Sequence, residues 1–553
     1  MTGTLVVAKN GKRFKKLFLE EFYMKNKMMK KRSTFVLLGL LTFVAIIATG
    51  CPHKSEPDDG PVVPEPTEKT IELKTGQEIN ALLVGTGTIL KANSTSKAFR
   101  FADVPPMSSY QTVVLSSDAS EVECIAWVQD NTIYVYAEGY TDKNKLIPLT
   151  DMQDMFMNCT ALTEIELQLF DTSKVTRMDN TFYNCTALTT LDVSSLNTSS
   201  VTTMTGMFQD CKNLAVIDVS GFDTKNVKYM TSMFNGCAKV EVLDVSKFNT
   251  ENVSPSTGYS GFSYMFNGCE NIRSLDLSSF STKNCPSGAY MFAGCKKLSS
   301  FNFPKDIKTN PFKFCDLEGM FSGCSSLRFG LDTFYTYWFD VSQTRSLKNM
   351  FRDCTSLRLF EGDLKSWAGE NQITDMSGMF QNCSGLTRVC FNDKFDTSKV
   401  TTMENMFSGC TNLRSYKEEG YLDDEGYTEY NFFEVGVFIE NFDVKNVKTM
   451  KNMFYNCSNL NELDVSKWEI YELTNANSMF ENCTKLETIY NNGTPWRWTA
   501  YKLYLDSSTS TNMFKECTSL VGKVKGATDF KYDWQKTDSK YAKVAPDGYF
   551  SKK

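Results

Sequence analysis

Carboxylate groups recur at one position of a repeated sequence unit, and their regular spacing is the first feature that could support chemistry. Asp192, Asp218, Asp244 and Asp276 follow the same apolar pattern in successive copies. If the copies stack, these carboxylates lie about 5 Å apart and repel one another. Three interpretations stay open: each Asp bonds a backbone N–H two residues on, binds a cation such as Ca²⁺, or contacts a ligand directly. Glycosidases need two carboxyl groups that differ in pKa, one as acid and one as base. Because the carboxylates of a regular ladder are equivalent, glycosidase chemistry is not expected.

The scarcity of histidine limits the catalytic possibilities. His53 is the one histidine of the 553-residue chain, and it lies in a Pro-rich stretch. We therefore do not expect a Ser-His-Asp triad, histidine acid–base catalysis or a His-ligated metal site. The formal net charge of -6 also argues against a nucleic-acid-binding protein, because such proteins are usually basic. We expect no enzyme activity, no cofactor, no metal and no nucleic-acid partner.

Most of the 18 cysteines belong to a recurring Phe-x-x-Cys motif. The phenylalanines of this motif are Phe156, Phe182, Phe208, Phe234, Phe266, Phe292, Phe321, Phe351, Phe380, Phe407, Phe454, Phe480 and Phe514. The cysteine replaces a small apolar core residue, which predicts a column of buried free thiols. Disulfides are one alternative, and a metal site, without any CxxC, is another. Cys390 stands at the position of the outward Asp, where it is either exposed on the sheet or, as we expect, a partly covered thiol without a role.

Three irregular stretches, at residues 328–342, 414–440 and 494–505, concentrate aromatic side chains. The candidate ligand-binding residues in them are Tyr335, Tyr337, Trp338, Tyr421, Tyr427, Tyr430, Trp496, Arg497 and Trp498. Exposed Trp, Tyr and Arg are typical anchors of protein interfaces. Stacking on sugar rings is a second interpretation, and packing inside enlarged repeats is a third.

The elements that must position these residues follow from two periodicities inside each unit. Between Met204 and Cys211 the apolar residues have i, i+3, i+4, i+7 spacing, which predicts a short helix. Leu191 and Val193 alternate with polar residues, which predicts a short strand. Neither element can bury its apolar face alone, so stacked copies must share one core. The sequence predicts an α/β solenoid of about thirteen units, each a short helix plus a short parallel strand.

The full motif, M-F-x-x-C-x-x-L-x-x-L-D-V-S-x-F-D-T-x-x-V-x-x-M, is followed closely from Met207 to Met230. It resembles the BspA-like branch of leucine-rich repeats, the bacterial surface protein repeat of 26 residues. The resemblance covers residues 150–530. It implies a leucine-rich-repeat-like fold in an extracellular, often lipid-anchored bacterial protein used in adhesion or protein binding.

The N-terminus predicts export and lipid attachment. Residues 1–50 form a signal region with a basic stretch and an apolar run too short to span a membrane. We expect translation to start after residues 1–23. Ala48-Thr49-Gly50-Cys51 resembles a bacterial lipobox, with Cys51 as the lipid attachment site. The Pro-rich residues 51–69 predict a tether, and acidic residues behind Cys51 favour surface exposure at the outer membrane.

The remaining chain divides into three predicted parts. The strand patterns of residues 70–149 predict an N-terminal β cap. Residues 150–530 are predicted to form the repeat solenoid, and residues 531–553 are predicted to form a C-terminal cap. We expect a surface lipoprotein that binds a protein ligand on host or bacterial surfaces, in adhesion. The alternatives are a glycan-binding surface lipoprotein that uses the Trp and Tyr clusters, and a passive surface-coat component.

Overall fold

The computed structural model describes most of the chain beyond residue 68. The described residues are 69–140, 145–254, 261–284, 286–306, 311–328, 333–335, 339–361, 371–391, 395–415, 417–422, 428–435, 437–491, 509–523, 529–533, 535–538, 541 and 549–552. The predicted signal region, the lipid-attachment residue Cys51 and the start of the tether lie outside them.

The described residues form a strand-rich protein with a single α-helix, α1 (Gly76–Val84). The strands are β1 (Ala98–Phe101), β2 (Val113–Val114), β3 (Cys124–Gln129), β4 (Thr132–Ala137), β5 (Ile147–Pro148), β6 (Glu164–Ile165), β7 (Phe170–Asp171), β8 (Thr190–Leu191), β9 (Val216–Ile217), β10 (Ser274–Asp276), β11 (Ser300–Asn302), β12 (Phe312–Lys313), β13 (Thr333–Tyr335), β14 (Phe339–Asp340), β15 (Leu359–Glu361), β16 (Arg388–Cys390), β17 (Lys417–Leu422), β18 (Thr428–Val435), β19 (Val437–Phe438), β20 (Glu462–Asp464), β21 (Thr488–Asn491), β22 (Val521–Gly522), β23 (Phe530–Lys531) and β24 (Phe550–Lys552).

The segment before the first repeat is a sheet with one helix against it. Thr75 and Glu78 form a capping box at the start of α1, which the sequence analysis did not predict. The five-stranded sheet has the order β2-β3-β4-β1-β6. Strand β1 pairs in parallel with both β4 and β6, and β6 belongs to the first repeat. This sheet therefore continues directly into the repeats, and both share one apolar core.

The short helix predicted in each unit is wrong for the described residues, where consecutive tight turns replace it. The residues two positions before and two positions after every motif phenylalanine have φ between +50° and +77°. Around Phe208 these are Gly206 and Asp210. An α-helix requires negative φ throughout, so a left-handed residue every fourth position ends each turn before a helix can propagate. Glycine and asparagine recur at these positions because they tolerate this conformation best.

The turns hydrogen bond to the equivalent turns of the next repeat. The backbone N–H of Phe182 donates to the carbonyl of Met207, and that of Phe208 donates to the carbonyl of Met233. The equivalent bond from each of the thirteen motif phenylalanines measures 2.9 Å. The short strands add parallel pairs between repeats, such as β8 with β9 and β10 with β11. The protein is thus a repeat protein whose successive units are joined backbone to backbone.

The motif phenylalanines form a continuous column of stacked rings in the core. Neighbouring rings lie with centroids 5.4–5.8 Å apart and planes within 1–13° of parallel, from Phe156 to Phe514. Phe407 and Phe454 stack at 5.4 Å although a long insertion separates them in sequence. Strands β17 and β18 of that insertion form an antiparallel hairpin. The insertion therefore leaves the column unbroken.

The two ends of the ring column meet rings of different orientation. Phe99 in β1 contacts Phe156 edge to face, with centroids 5.1 Å apart and planes at 84°. At the other end Tyr549 lies 5.1 Å from Phe514, tilted by 57°. Strand β24 pairs in parallel with β21 beside the last repeats. Rings from both flanking segments therefore close the column.

Candidate functional site

The repeat cysteines face the core, where they bond to the backbone. The thiol of Cys211 donates to the carbonyl of Phe182 at 3.0 Å, and the thiol of Cys383 donates to that of Phe351 at 2.9 Å. The same bond, 2.9–3.2 Å long, is made by Cys185, Cys211, Cys237, Cys269, Cys295, Cys324, Cys354, Cys383, Cys410, Cys457, Cys483 and Cys517. Each cysteine joins its repeat to the preceding one.

These thiols are free and chemically quiet. None of the thirteen motif cysteines forms a disulfide, as the thiol-column interpretation predicts. Burial raises the pKa of the Cys211 thiol to about 12, and burial likewise raises the pKa of Cys185 well above its ordinary value. Because only the thiolate is a good nucleophile, these residues are unsuited to catalysis. Cys390, in β16, is half-buried, so the structure places it between the core and the exposed surface.

Of the four aspartates in the predicted aspartate column, Asp192, Asp218 and Asp244 are exposed, whereas Asp276, at the end of β10, is half-buried. The carboxylates of Asp192, Asp218, Asp244 and Asp276 each accept a hydrogen bond of 2.9–3.0 Å from the backbone N–H of the serine two residues on. This is the first of the three interpretations raised from the sequence. At the end of the column the amide of Asn302 donates to Asp276 at 3.2 Å. Each carboxylate is therefore held by its own turn.

The electrostatics of the aspartate column agree with this geometry. The hydroxyl and backbone N–H of Ser220 hold the pKa of the Asp218 carboxyl below its ordinary value. The pKa of Asp192 is lowered in the same way by Ser194, although the neighbouring Asp218 opposes that shift. In the part of the chain that the structure describes, no three acidic, cysteine or histidine side chains converge as a metal site would require.

The aromatic candidates are placed only in part. Tyr335 lies in β13, Tyr421 in β17 and Tyr430 in β18, which puts the last two on opposite strands of one hairpin. Tyr337, Trp338, Tyr427, Trp496, Arg497 and Trp498 lie outside the described residues. Their role in binding stays a prediction.

A polar groove that the sequence analysis missed lies in the later repeats. It is lined by Arg328, Thr355, Ser356, Arg358, Leu359, Gly385, Thr387, Asn412 and Arg414, and we call it the arginine groove. Its volume is about 570 Å³, within the range of about 300–1,000 Å³ typical of ligand pockets. The three guanidinium-bearing residues are exposed. The groove is open to solvent and rich in hydrogen-bond donors.

The repeat backbone positions the groove. Arg328, Arg358 and Arg414 each directly follow the buried leucine of their repeat. The N–H of Thr387 donates to the carbonyl of Arg358 at 2.8 Å, and the N–H of Arg414 donates to the carbonyl of Thr387 at 3.4 Å. The signal in the sequence was the recurring Leu-Arg pair, which becomes a cluster only when repeats some 30 residues apart are aligned.

Within the described residues, no helix has the length and apolar character needed to cross a membrane.

Comparison with curated proteins finds no significant match. The family described as Mycoplasma protein of unknown function, DUF285, matches residues 150–260, 218–327, 300–419 and 427–527. These matches span the repeats that build the cysteine column, the aspartate column and the arginine groove. The chain belongs to this family, DUF285.

Proposed function

We propose that the chain is an exported, lipid-anchored bacterial surface protein that binds protein ligands, in adhesion, through a BspA-like leucine-rich-repeat solenoid. Cys51 would carry the lipid, and the Pro-rich residues 51–69 would hold the repeats away from the membrane. The outer membrane is the expected location. The chain acts by binding, without a catalytic step or a cofactor.

The observation that carries this proposal is the contrast between constant interior and variable exterior. Interior Phe, Cys and Leu recur in nearly every copy and are fully buried. At the outward position after the buried Leu or Ile, by contrast, successive copies carry different residues, for example Thr189, Arg273 and Ser299. A rigid frame with freely varied outer residues favours recognition of a ligand over a long surface.

The carbohydrate-binding alternative based on Trp and Tyr depends mostly on residues outside the described part of the chain, since only Tyr335, Tyr421 and Tyr430 of its candidates lie within it. The passive-coat alternative predicts that no specific ligand exists. Both are tested by the experiment that tests the main proposal.

The test of binding is capture of purified extracellular-matrix and bacterial surface proteins by the full chain in mild detergent. We expect saturable capture of at least one of them. The matched variant replaces residues 417–435 with a Gly-Ser linker and retains Phe407 and Phe454, whose rings stack in the wild type. If the full chain captures neither proteins nor glycans, the passive-coat alternative replaces the proposal.

The test of anchoring is metabolic labelling of the producing bacterium with palmitate. We expect label in the wild-type protein and none in Cys51→Ser. Equal labelling of both proteins, or of neither, would contradict lipid attachment at Cys51.

A further inference from the structure

We propose that the arginine groove binds an acidic oligosaccharide, a sugar chain that carries carboxylate or sulfate groups. This inference goes beyond the proposed protein binding because it names a second ligand class and a site that the sequence analysis did not find.

The arginine groove is positively charged. Among the described residues that line it, three are arginine and none is Asp or Glu, although the chain as a whole has a net charge of -6. Elsewhere arginines pair with carboxylates, as Arg177 does with Asp179 and Arg352 with Asp353. In the described part of the chain, Arg328 and Arg414 form no ion pair with an acidic residue. An anionic ligand would offset the repulsion between these guanidinium groups.

The arginines of the groove are spaced by the repeats that carry them. Arg328 and Arg358 belong to adjacent repeats, while the repeat of Thr387 lies between Arg358 and Arg414. Stacked parallel segments are separated by about 5 Å, so the backbones of these arginines lie about 5 and 10 Å apart along the array. Arginine contacts carboxylate and sulfate oxygens through two parallel N–H groups. The spacing suits a ligand whose anionic groups recur along its length.

The other residues that line the groove favour an anionic sugar chain over other polyanionic ligands. Ser356 supplies a hydroxyl group, and the hydroxyl oxygens of Thr355 and Thr387, whose O–H groups donate to backbone carbonyls, can still accept hydrogen bonds from sugar hydroxyls. Leu359 is the only apolar side chain among the described lining residues. Protein interfaces concentrate their energy in apolar and aromatic pockets, and single-stranded nucleic acids stack on aromatic rings. The described lining offers neither, so an anionic, hydroxyl-rich chain fits best.

Hydrogen bonds within the protein form the groove without a ligand. Thr387 bridges its two neighbours through backbone hydrogen bonds, and its hydroxyl also donates to the carbonyl of Arg358 at 3.1 Å. The amide of Asn412 donates to the carbonyl of Ser384 at 2.8 Å. A preformed site avoids the entropic cost of ordering on binding.

The test is calorimetric titration of the full chain, in mild detergent, with three saccharides. Oligogalacturonate supplies carboxylates, sulfated dextran oligosaccharide supplies sulfates, and unmodified dextran is the neutral control. We expect at least one charged saccharide to bind, with affinity that falls as salt concentration rises, and no heat from dextran. The better of the two charged probes identifies the anionic group.

The variants assign the site. Arg328→Gln and Arg414→Gln should each weaken binding by about tenfold, the usual cost of one charge-assisted hydrogen bond, and the double variant should abolish measurable binding. Arg273→Gln is the matched control, because Arg273 is exposed and also follows a buried core residue, but lies outside the groove. It should bind like wild type. Circular dichroism and melting temperature check that each variant folds, and the single variants report the site if the double variant does not fold.

Three results would overturn the inference: equal binding of dextran, equal weakening by Arg273→Gln, or tighter binding of a poly-glutamate peptide than of either charged saccharide. A chain that captures matrix proteins but binds none of the saccharides would lose this inference and keep the proposed function. A chain with the opposite behaviour would keep the arginine groove and lose the proposed function.

Discussion

The regular repeats, from Phe156 to Phe292, and the later repeats, from Phe321 to Phe407, share an interior and differ on the outside. Both have the same ring column, the same thiol–carbonyl bonds and the same left-handed turn residues. Outside, both regions carry aspartates that their own turns hold, but three exposed arginines line a single groove in the later repeats. Charge that is satisfied internally leaves little for a ligand, so the later repeats are the better place to seek recognition.

A rise in pH should have the largest effect on stability, and it tests whether the two regions have the same interior. Burial raises the pKa of all thirteen motif thiols above the ordinary 9.0. The stability linked to them is complete below pH 9 and is lost as pH rises above it toward the raised pKa. In this pH range, each thiol lowers the free energy of unfolding by about 1.4 kcal/mol per pH unit. We therefore expect cooperative unfolding between pH 9 and 11.

Thiol alkylation followed by peptide mass spectrometry measures this unfolding region by region. Cys211 in the regular repeats and Cys383 in the later repeats should become reactive at the same pH, because both thiols are buried and bonded alike. Reactivity of one of these thiols at a pH where the other stays protected would contradict the equivalence of the two interiors.

Removal of one ring from each region is the next largest change. Phe208→Ala and Phe380→Ala each delete a fully buried ring from the column. Each should lower the free energy of unfolding by about 3–5 kcal/mol, since the loss of apolar transfer energy adds to the cost of a cavity. Urea titration by circular dichroism gives both values. A difference above about 1.5 kcal/mol between them would show that the interiors are not equivalent.

Acid titration examines the exterior of the regular repeats, where the effect is smaller. The carboxyls of Asp218 and Asp276 have lowered pKa, chiefly through the side chains of Ser220 and Ser278. The stability that they contribute is present above their ordinary pKa of 3.8 and is lost as pH falls through the lowered values. In carbon-detected NMR, Ser220→Ala should move the pKa of Asp218 upward and leave that of Asp276 unchanged. An unmoved Asp218 would contradict the assigned cause.

Neutralising an arginine in the groove should have the smallest effect on stability. Arg414 is exposed and has no carboxylate partner within the described residues. Arg414→Gln should change the free energy of unfolding by less than about 0.5 kcal/mol, as is usual for surface positions. Phe407→Ala, in the same repeat, is the destabilising control. A large loss in Arg414→Gln would mean that the groove is structural.

The sequence alone predicted the repeat unit and the buried Phe and Cys positions, because these depend on periodicity and hydrophobicity. The helix was wrong since apolar residues with i, i+3, i+4 spacing are also produced by two consecutive turns. The distinguishing signal was Asn, Asp or Gly on both sides of the phenylalanine, as in Asn180 and Asn184. The arginine groove escaped notice because its members come from separate repeats whose spacing varies.

The crossed rings at the two ends of the phenylalanine column carry a consequence for self-association. An array of identical units joined head to tail has no inherent limit to its growth, and an open end would accept another molecule and extend into a fibre. Phe99 and Tyr549 present an edge or a tilted face where the next parallel ring would lie. Both rings are themselves buried by further aromatic side chains, so neither end of the column offers a parallel ring face to another molecule.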